Sequence, residues 1–406
     1  MKNNLLTENT NFRRIFGAGV CSNFADGLML VALPWLATLV TSDPLLISLV
    51  FASNRLPWLL LSIPAGVLAD AFDRRLLVGR MDIFRAMAMC IIFILTLLAI
   101  NQNSIYYLIR LTFLIGCAEV VRDNTAQSFL PNIVTADVLE TANSQLWSAD
   151  KLLGEFIGPP LAGVLIAQML FMPFGLYVMI MFLSAYFIFR IQIPKTAATS
   201  ISFKSALIEG ISYVRNDRTL FRLAIVLSVA NFFVSGMVAI QVMFAQEVLH
   251  ATAIQYGMIV SAGAFGAVLG SFVAPKVIKW AGPNLCLRIC VSVWVIGYTL
   301  IGISTSVWGM ATALSLILMS GLIWNVTTVS WRQKRIPPSI LGRANSIFRF
   351  FGWGSIPIGT AFFGAFVKVS SDHMTKESAL TIPFYISAVG CVLILIYITV
   401  RLRLDE

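Results

Sequence analysis

Along its length the chain alternates between apolar runs and short polar breaks. The runs are about 20 residues long, the length that a bilayer core demands of a helix. Twelve fall near 15–40, 45–69, 81–100, 104–122, 141–167, 172–190, 221–247, 255–275, 285–303, 307–330, 345–367 and 379–400. Most breaks carry Pro, Gly, Asn or Asp, as at Ser42-Asp43-Pro44 and Ala281-Gly282-Pro283, residues that end helices and make turns. A backbone surrounded by lipid must satisfy its own hydrogen bonds, so each run is predicted as a helix and successive helices run up and down. The one long interior gap, 191–220, places Phe203, Leu207, Ile208, Ile211 and Val214 at helical spacing, with Lys204, Glu209, Arg215 and Asp217 between them. That pattern predicts an amphipathic helix lying on a membrane face.

Composition agrees with the pattern. Of 406 residues, 58% are hydrophobic and only 12% charged, about half the charged share of a soluble chain. All 29 basic residues except Arg55, Arg110, Lys368 and Lys376 lie in or beside segments that face one side if the N-terminus is cytoplasmic, as the positive-inside rule requires. The net charge of +10 therefore reflects membrane orientation, not a nucleic-acid surface. The prediction is an all-α integral membrane protein of the inner membrane. It has a cytoplasmic tail (1–14), a six-helix bundle (15–190), a cytoplasmic linker (191–220), a second six-helix bundle (221–400) and a cytoplasmic tail (401–406). The six cysteines sit in or beside apolar runs without a CxxC or nearby histidine, so neither a metal, a cofactor nor a disulfide is expected.

The two halves echo one another. Val138-Leu-Glu-Thr-Ala-Asn-Ser144 opens the fifth run, and Ile340-Leu-Gly-Arg-Ala-Asn-Ser346 opens the eleventh, 202 positions later. A duplicated bundle of this kind places its site between the repeats. The break after the second run reads GVLADAFDRRLLVGR from Gly66 to Arg80 and crowds charge into a few positions. Its G-x-L-A-D-x-x-D-R-R pattern resembles the signature loop of the major facilitator superfamily, and the twelve runs and the 6+6 repeat resemble it over the whole chain. More narrowly, Ala32-Leu-Pro-Trp-Leu36, Arg55-Leu-Pro57 and Leu341-Gly-Arg-Ala-Asn345 resemble the subgroup of macrolide efflux proteins and the enterobactin exporter.

The resemblance implies a cytoplasmic gate built from Gly66, Asp70, Asp73, Arg74 and Arg75. In it Asp70 sits against the start of the eleventh helix and near Arg122, and Glu119 lies one turn from Arg122. A carboxylate is favoured at a helix N-terminus and an arginine can hold it. The fifth run holds Gly154, Gly158, Pro159 and Gly163. These are small residues for close helix packing and resemble the motif of drug–proton antiporters, although Gln145 stands where that pattern has a further glycine.

A charge at mid-bilayer costs about 2.5–3.5 kcal/mol on insertion scales, so each one needs a reason. Asp26 lies about 18 Å along its helix from Arg14, beside Asn23, and Arg55 reaches toward it from the second run. A proton-coupling or substrate role and a static ion pair are both open for Asp26, while Arg55 leans structural. Trp147, Lys151 and Glu155 follow i, i+4 spacing, as an ion pair or as the wall of a cavity. Asn231, Gln241, Asn325 and Arg349 are further cavity candidates. The third, sixth, ninth and twelfth runs are expected to carry no central charge and to face lipid.

These readings converge on a secondary transporter of a small amphipathic organic molecule such as a drug, macrolide-like compound or siderophore. Export in exchange for protons by a monomer in the bilayer is expected, without nucleic acid. A lipid or siderophore carrier working by uniport or import, and a polytopic membrane enzyme, are the alternatives. The second lacks support, since there is no DDxxD, HxxxxD, GxSxG or P-loop.

Overall fold

A computed structural model describes residues 5–98, 101, 103–130, 133–135, 138–192 and 203–404. The helices are α1 (Leu5–Glu8), α2 (Thr10–Val40), α3 (Pro44–Ala71), α4 (Arg74–Leu97), α5 (Ser104–Phe129), α6 (Leu139–Ala149), α7 (Gly158–Gln168) and α8 (Met172–Phe189). A π-helical segment, Asp150–Ile157, joins α6 to α7. There follow α9 (Phe203–Asn216), α10 (Arg218–Glu247), α11 (Ala253–Gly302), α12 (Val307–Arg335), α13 (Pro338–Ser370) and α14 (Lys376–Arg401).

Short polar residues start these helices. Asn9, Asp73, Asp217, Ser306 and Thr375 each accept a hydrogen bond from a backbone amide of the first turn of α2, α4, α10, α12 and α14, satisfying donors that a helix leaves open. Among the described residues, nine helices are long and apolar enough to cross a membrane. Two spans expected from the sequence escape that criterion for visible reasons. Helix α4 carries charge in its first half, and 139–168 is broken into α6, the π-helical segment and α7. Helix α11 is two helices joined at Gly282, whose φ of 68° suits glycine.

Protein does not cover the whole apolar surface. On α14, Val389, Leu393, Ile396 and Val400 form an uncovered stripe, while Phe384, Cys391, Ile394 and Ile398 on the other side are buried. Helix α8 does the same with Met179, Phe182, Leu183 and Tyr186, and α4 with Met87, Ile91 and Ile94. Apolar stripes of this length belong to a lipid solvent, not to water.

The chain forms two compact units. The first gathers the described residues of 1–42, 53–200 and 253–257, and the second those of 43–52, 201–252 and 258–406. In the first, Phe12, Ile15, Ala18, Val78, Leu130, Ala142 and Ile188 build a core from α2, α4, the end of α5, α6 and α8. In the second, α10 packs along α13 with Phe232, Phe233 and Phe363 in mutual ring contact. Helix α9 docks on the start of α13, where Glu209 pairs with Arg343 and Gly210 lies against the Arg343 backbone. Along α9, Val214 is buried and Ile211 is uncovered.

Candidate functional site

The first unit concentrates charge between α2, α4, α5 and α8. On α2, Ala18, Ser22 and Asp26 recur one turn apart. On α4, Asp82 and Arg85 share the buried face, and α8 contributes Tyr177 and Ser184. Arg85 is fully buried. It donates Nη2 to Asp26 Oδ1 and Nη1 to Ser22 Oγ (3.0 Å), and it lies 5.8 Å from the ring centroid of Tyr177. The Asp26 side chain is 39% exposed and that of Arg85 0%, so the pair has one open and one closed member.

A second pair lies beside it. Arg122 donates Nε to Asp82 Oδ1 (3.1 Å), Nη1 to Asp123 Oδ1 (3.0 Å) and Nη2 to the Ala18 carbonyl (3.4 Å). Ser184 Oγ donates to the other oxygen of Asp82 at 2.6 Å. Both arginines are thus held by carboxylates, which buried cations require.

This arrangement corrects several expectations. Arg55 does not pair with Asp26; its Nη1 lies 3.7 Å from Glu119 Oε1. Glu119 therefore faces Arg55 rather than Arg122, whose partners among the described residues are Asp82 and Asp123. The third span does carry internal charge. Helix α4 begins at Arg74, well before residue 81, so Asp82 and Arg85 lie near the middle of the helix rather than at its start. Their i, i+3 spacing just ahead of an apolar stretch was the signal that could have found them.

Asp73 caps α4 through the amides of Arg75 and Leu76, and Arg75 Nη1 donates to the Ile191 carbonyl (3.2 Å). Arg74 lies in the first turn of the same helix. The side chains of Gly66 and Asp70 lie outside the described residues.

The packing motif supports the site. A Cβ on Gly27 would stand 2.1 Å from the Gly154 carbonyl oxygen, and one on Gly158 2.8 Å from Gly27. One on Gly154 would meet the Asn23 carbonyl at 2.9 Å. The backbone of α2 thus touches the fifth span on either side of Asp26, and only small residues permit it. Gly163 meets the Ala253 carbonyl in the same way, and Gly257 meets that of Pro159. Within the π-helical segment Lys151 pairs with Glu155, and its Nζ lies 5.9 Å from the centroid of Trp147. Trp147 itself is 66% exposed.

In the second unit Asn231 Nδ2 donates to the Gly352 carbonyl (3.0 Å), Gln241 is buried, and Asn325 and Arg349 are exposed. The structure therefore gathers Asp26 with Ser22 and Arg85, and Trp147 with Lys151 and Glu155. It leaves Asn231, Gln241, Asn325 and Arg349 in a separate unit. Among the described residues no group of three or more His, Cys, Asp or Glu side chains is placed to hold a metal ion.

The family described as transmembrane secretion effector matches residues 6–406. Solved structures share the fold. A mutant of the nucleoside transporter NupG superposes with a TM-score of 0.77 at 13% identity, covering 96% of this chain and 99% of that one. A bacterial homologue of the iron transporter ferroportin, inward-facing, gives 0.73 at 14% identity, with 96% and 98% covered. A bacterial homologue of the human lysosomal transporter Spinster gives 0.69 at 15% identity, with 98% and 96% covered. Comparison with curated proteins gave no match.

Proposed function

The chain belongs to the transmembrane secretion effector family, a multi-pass membrane family of major facilitator type, and from that premise we propose that it exports an amphipathic organic molecule in exchange for protons. Family and fold are those of transporters and not of enzymes. The proposed substrate is a drug, a macrolide-like compound or a siderophore, as in the subgroup whose motifs the sequence resembles. Twelve spans are reached by counting α11 as two, adding α4, and taking 139–168 as one. The proposed setting is the inner membrane, with both termini cytoplasmic, following the distribution of Lys and Arg.

One observation carries the coupling role: a partly open carboxylate, Asp26, is the counter-charge of an enclosed guanidinium, Arg85. Protonating Asp26 would leave Arg85 with Ser22 and the Tyr177 ring but no balancing charge. Breaking a buried pair costs about 3–5 kcal/mol, on the scale needed to move a conformational equilibrium from one side to the other. Proton binding at Asp26 from outside would then favour one state, and proton release inside the other. Substrate exchange for the proton follows if it binds only the deprotonated state.

The test begins with expression in a pump-deficient bacterium, to find a toxic compound against which the protein protects. That compound is then followed in proteoliposomes under an imposed pH gradient. Wild type is expected to move it against its gradient, and Asp26→Asn only to equilibrate it. Equal gradient-driven transport by both proteins would end the coupling role of Asp26.

A further inference from the structure

The two repeats carry the same pair of side chains in swapped order. The 202-residue offset that aligns Val138–Ser144 with Ile340–Ser346 also aligns Trp147 with Arg349 and Lys151 with Trp353. Burial supports the register: Ala142 and Ala344, equivalent under that offset, are both wholly enclosed. Each repeat therefore places a cation and a tryptophan one turn apart on the same span.

Their charge balance differs. In the first repeat Lys151 is neutralised by Glu155 on the next turn. In the second, Pro357 stands where Glu155 would, and α13 contains no acidic residue at all. Arg349 is exposed and, among the described residues, its side chain makes no ion pair, hydrogen bond or ring contact.

The helix shows which way Arg349 points. Ile358, Phe362 and Val369 form an uncovered apolar stripe along the second half of α13, and Phe350 in its first half is uncovered too. At ~100° per residue the stripe lies about 180–220° round the helix from Arg349. Gly364 lies about 60° from Arg349 on the same count, and it packs against Ser48 and Pro44 of α3. Trp353, 38% exposed, lies between the two directions. Arg349 thus lies on the side of α13 away from that stripe, the side on which Gly364 meets α3, and an intramembrane cation belongs away from lipid.

We propose that Arg349 and Trp353 form a recognition site for an anionic group carried on an aromatic or apolar body. The guanidinium takes the carboxylate, sulfonate or phosphate, and the indole covers the adjoining ring or chain. The planar fork of arginine suits such groups. The inference rests on the transport reading for its purpose but not for its test.

The test uses the full-length protein in nanodiscs and two fluorescent probes of similar shape. One is the anionic 8-anilinonaphthalene-1-sulfonate, the other its uncharged relative N-phenyl-1-naphthylamine. Saturable binding is expected to favour the sulfonate. Arg349→Gln should weaken sulfonate binding about tenfold and leave the neutral probe within about twofold, while Arg349→Lys, which keeps the charge but not the planar fork, restores only part of the preference. Equal affinity of wild type for both probes, a parallel loss of both in Arg349→Gln, or no saturable sulfonate binding would overturn the proposal.

If Arg349→Gln does not yield a monodisperse protein, Arg349→His read at pH about 5 and about 8 replaces it. The sulfonate preference should be present at the lower pH and lost at the higher, with wild type unchanged between them; a preference insensitive to pH would overturn the proposal. Sulfonate binding without gradient-driven transport would leave the site standing and remove the transport reading, and the converse result would do the opposite.

Discussion

At the scale of single residues, the unequal surroundings of Asp26 and Arg85 lead to unequal consequences of losing each. Removing Arg85 leaves a carboxylate that is 39% exposed and can take water. Removing Asp26 leaves a guanidinium with no exposed surface, which is the expensive outcome for a buried charge. Asp26→Ala is therefore expected to destabilise by about 3 kcal/mol or more, and Arg85→Met by clearly less. Thermal unfolding of the purified variants in one detergent orders them. Equal losses would show that the exposure of Asp26 does not govern the pair.

At the scale of elements, backbone contact and capping set the terms. Gly27 leaves no room for a side chain beside the Gly154 carbonyl, so Gly27→Val must part α2 from the fifth span. The expected result is loss of most folded protein in size-exclusion profiles, whereas Gly321→Ala on α12, where a Cβ meets nothing, should be neutral. Asp217 caps α10 and accepts from Arg335 Nε (2.8 Å). Partial burial pushes its carboxyl up, but Arg335 and the amides of Leu220 and Thr219 outweigh that and hold it below the ordinary value. A group lowered on folding stabilises the protein above its unfolded pKa of about 3.9, and that contribution disappears as pH falls through the lowered value. Asn can still cap α10, so Asp217→Asn loses mainly the charge paired with Arg335 and is expected to cost up to about 1 kcal/mol at neutral pH, with the gap to wild type closing in acid; melting curves across pH measure it. The helices themselves were plain in the sequence, because a bilayer requires about 20 apolar residues per span. The pairing of charges was not. Spacing along one helix shows which residues share a face, but it does not show that Arg85, from a neighbouring helix, reaches Asp26 before Arg55 does. Nor does propensity reveal the π-helical turn at Asp150–Ile157, which arises where Gly154 and Gly158 are pressed against α2.

At the scale of the whole molecule, each half carries one cation–tryptophan pair, and carboxylates stand beside only the first. Glu155→Gln removes the nearer of the two acids beside Lys151 and leaves Asp150 3.9 Å away. The expected outcome is a second sulfonate-probe site, with binding stoichiometry rising from one to two in the nanodisc titration. Unchanged stoichiometry would mean that Asp150, 3.9 Å from Lys151, suffices to balance it. The widened turn between α6 and α7 has one last implication. A π-turn is an α-helix that has accommodated a spare residue. Recoiling that segment as plain α-helix would turn the Trp147 end about 100° relative to α7, while α7 stays anchored where Gly163 abuts Ala253. The segment can thus operate as a swivel, reorienting Trp147 and Lys151 without shifting α7.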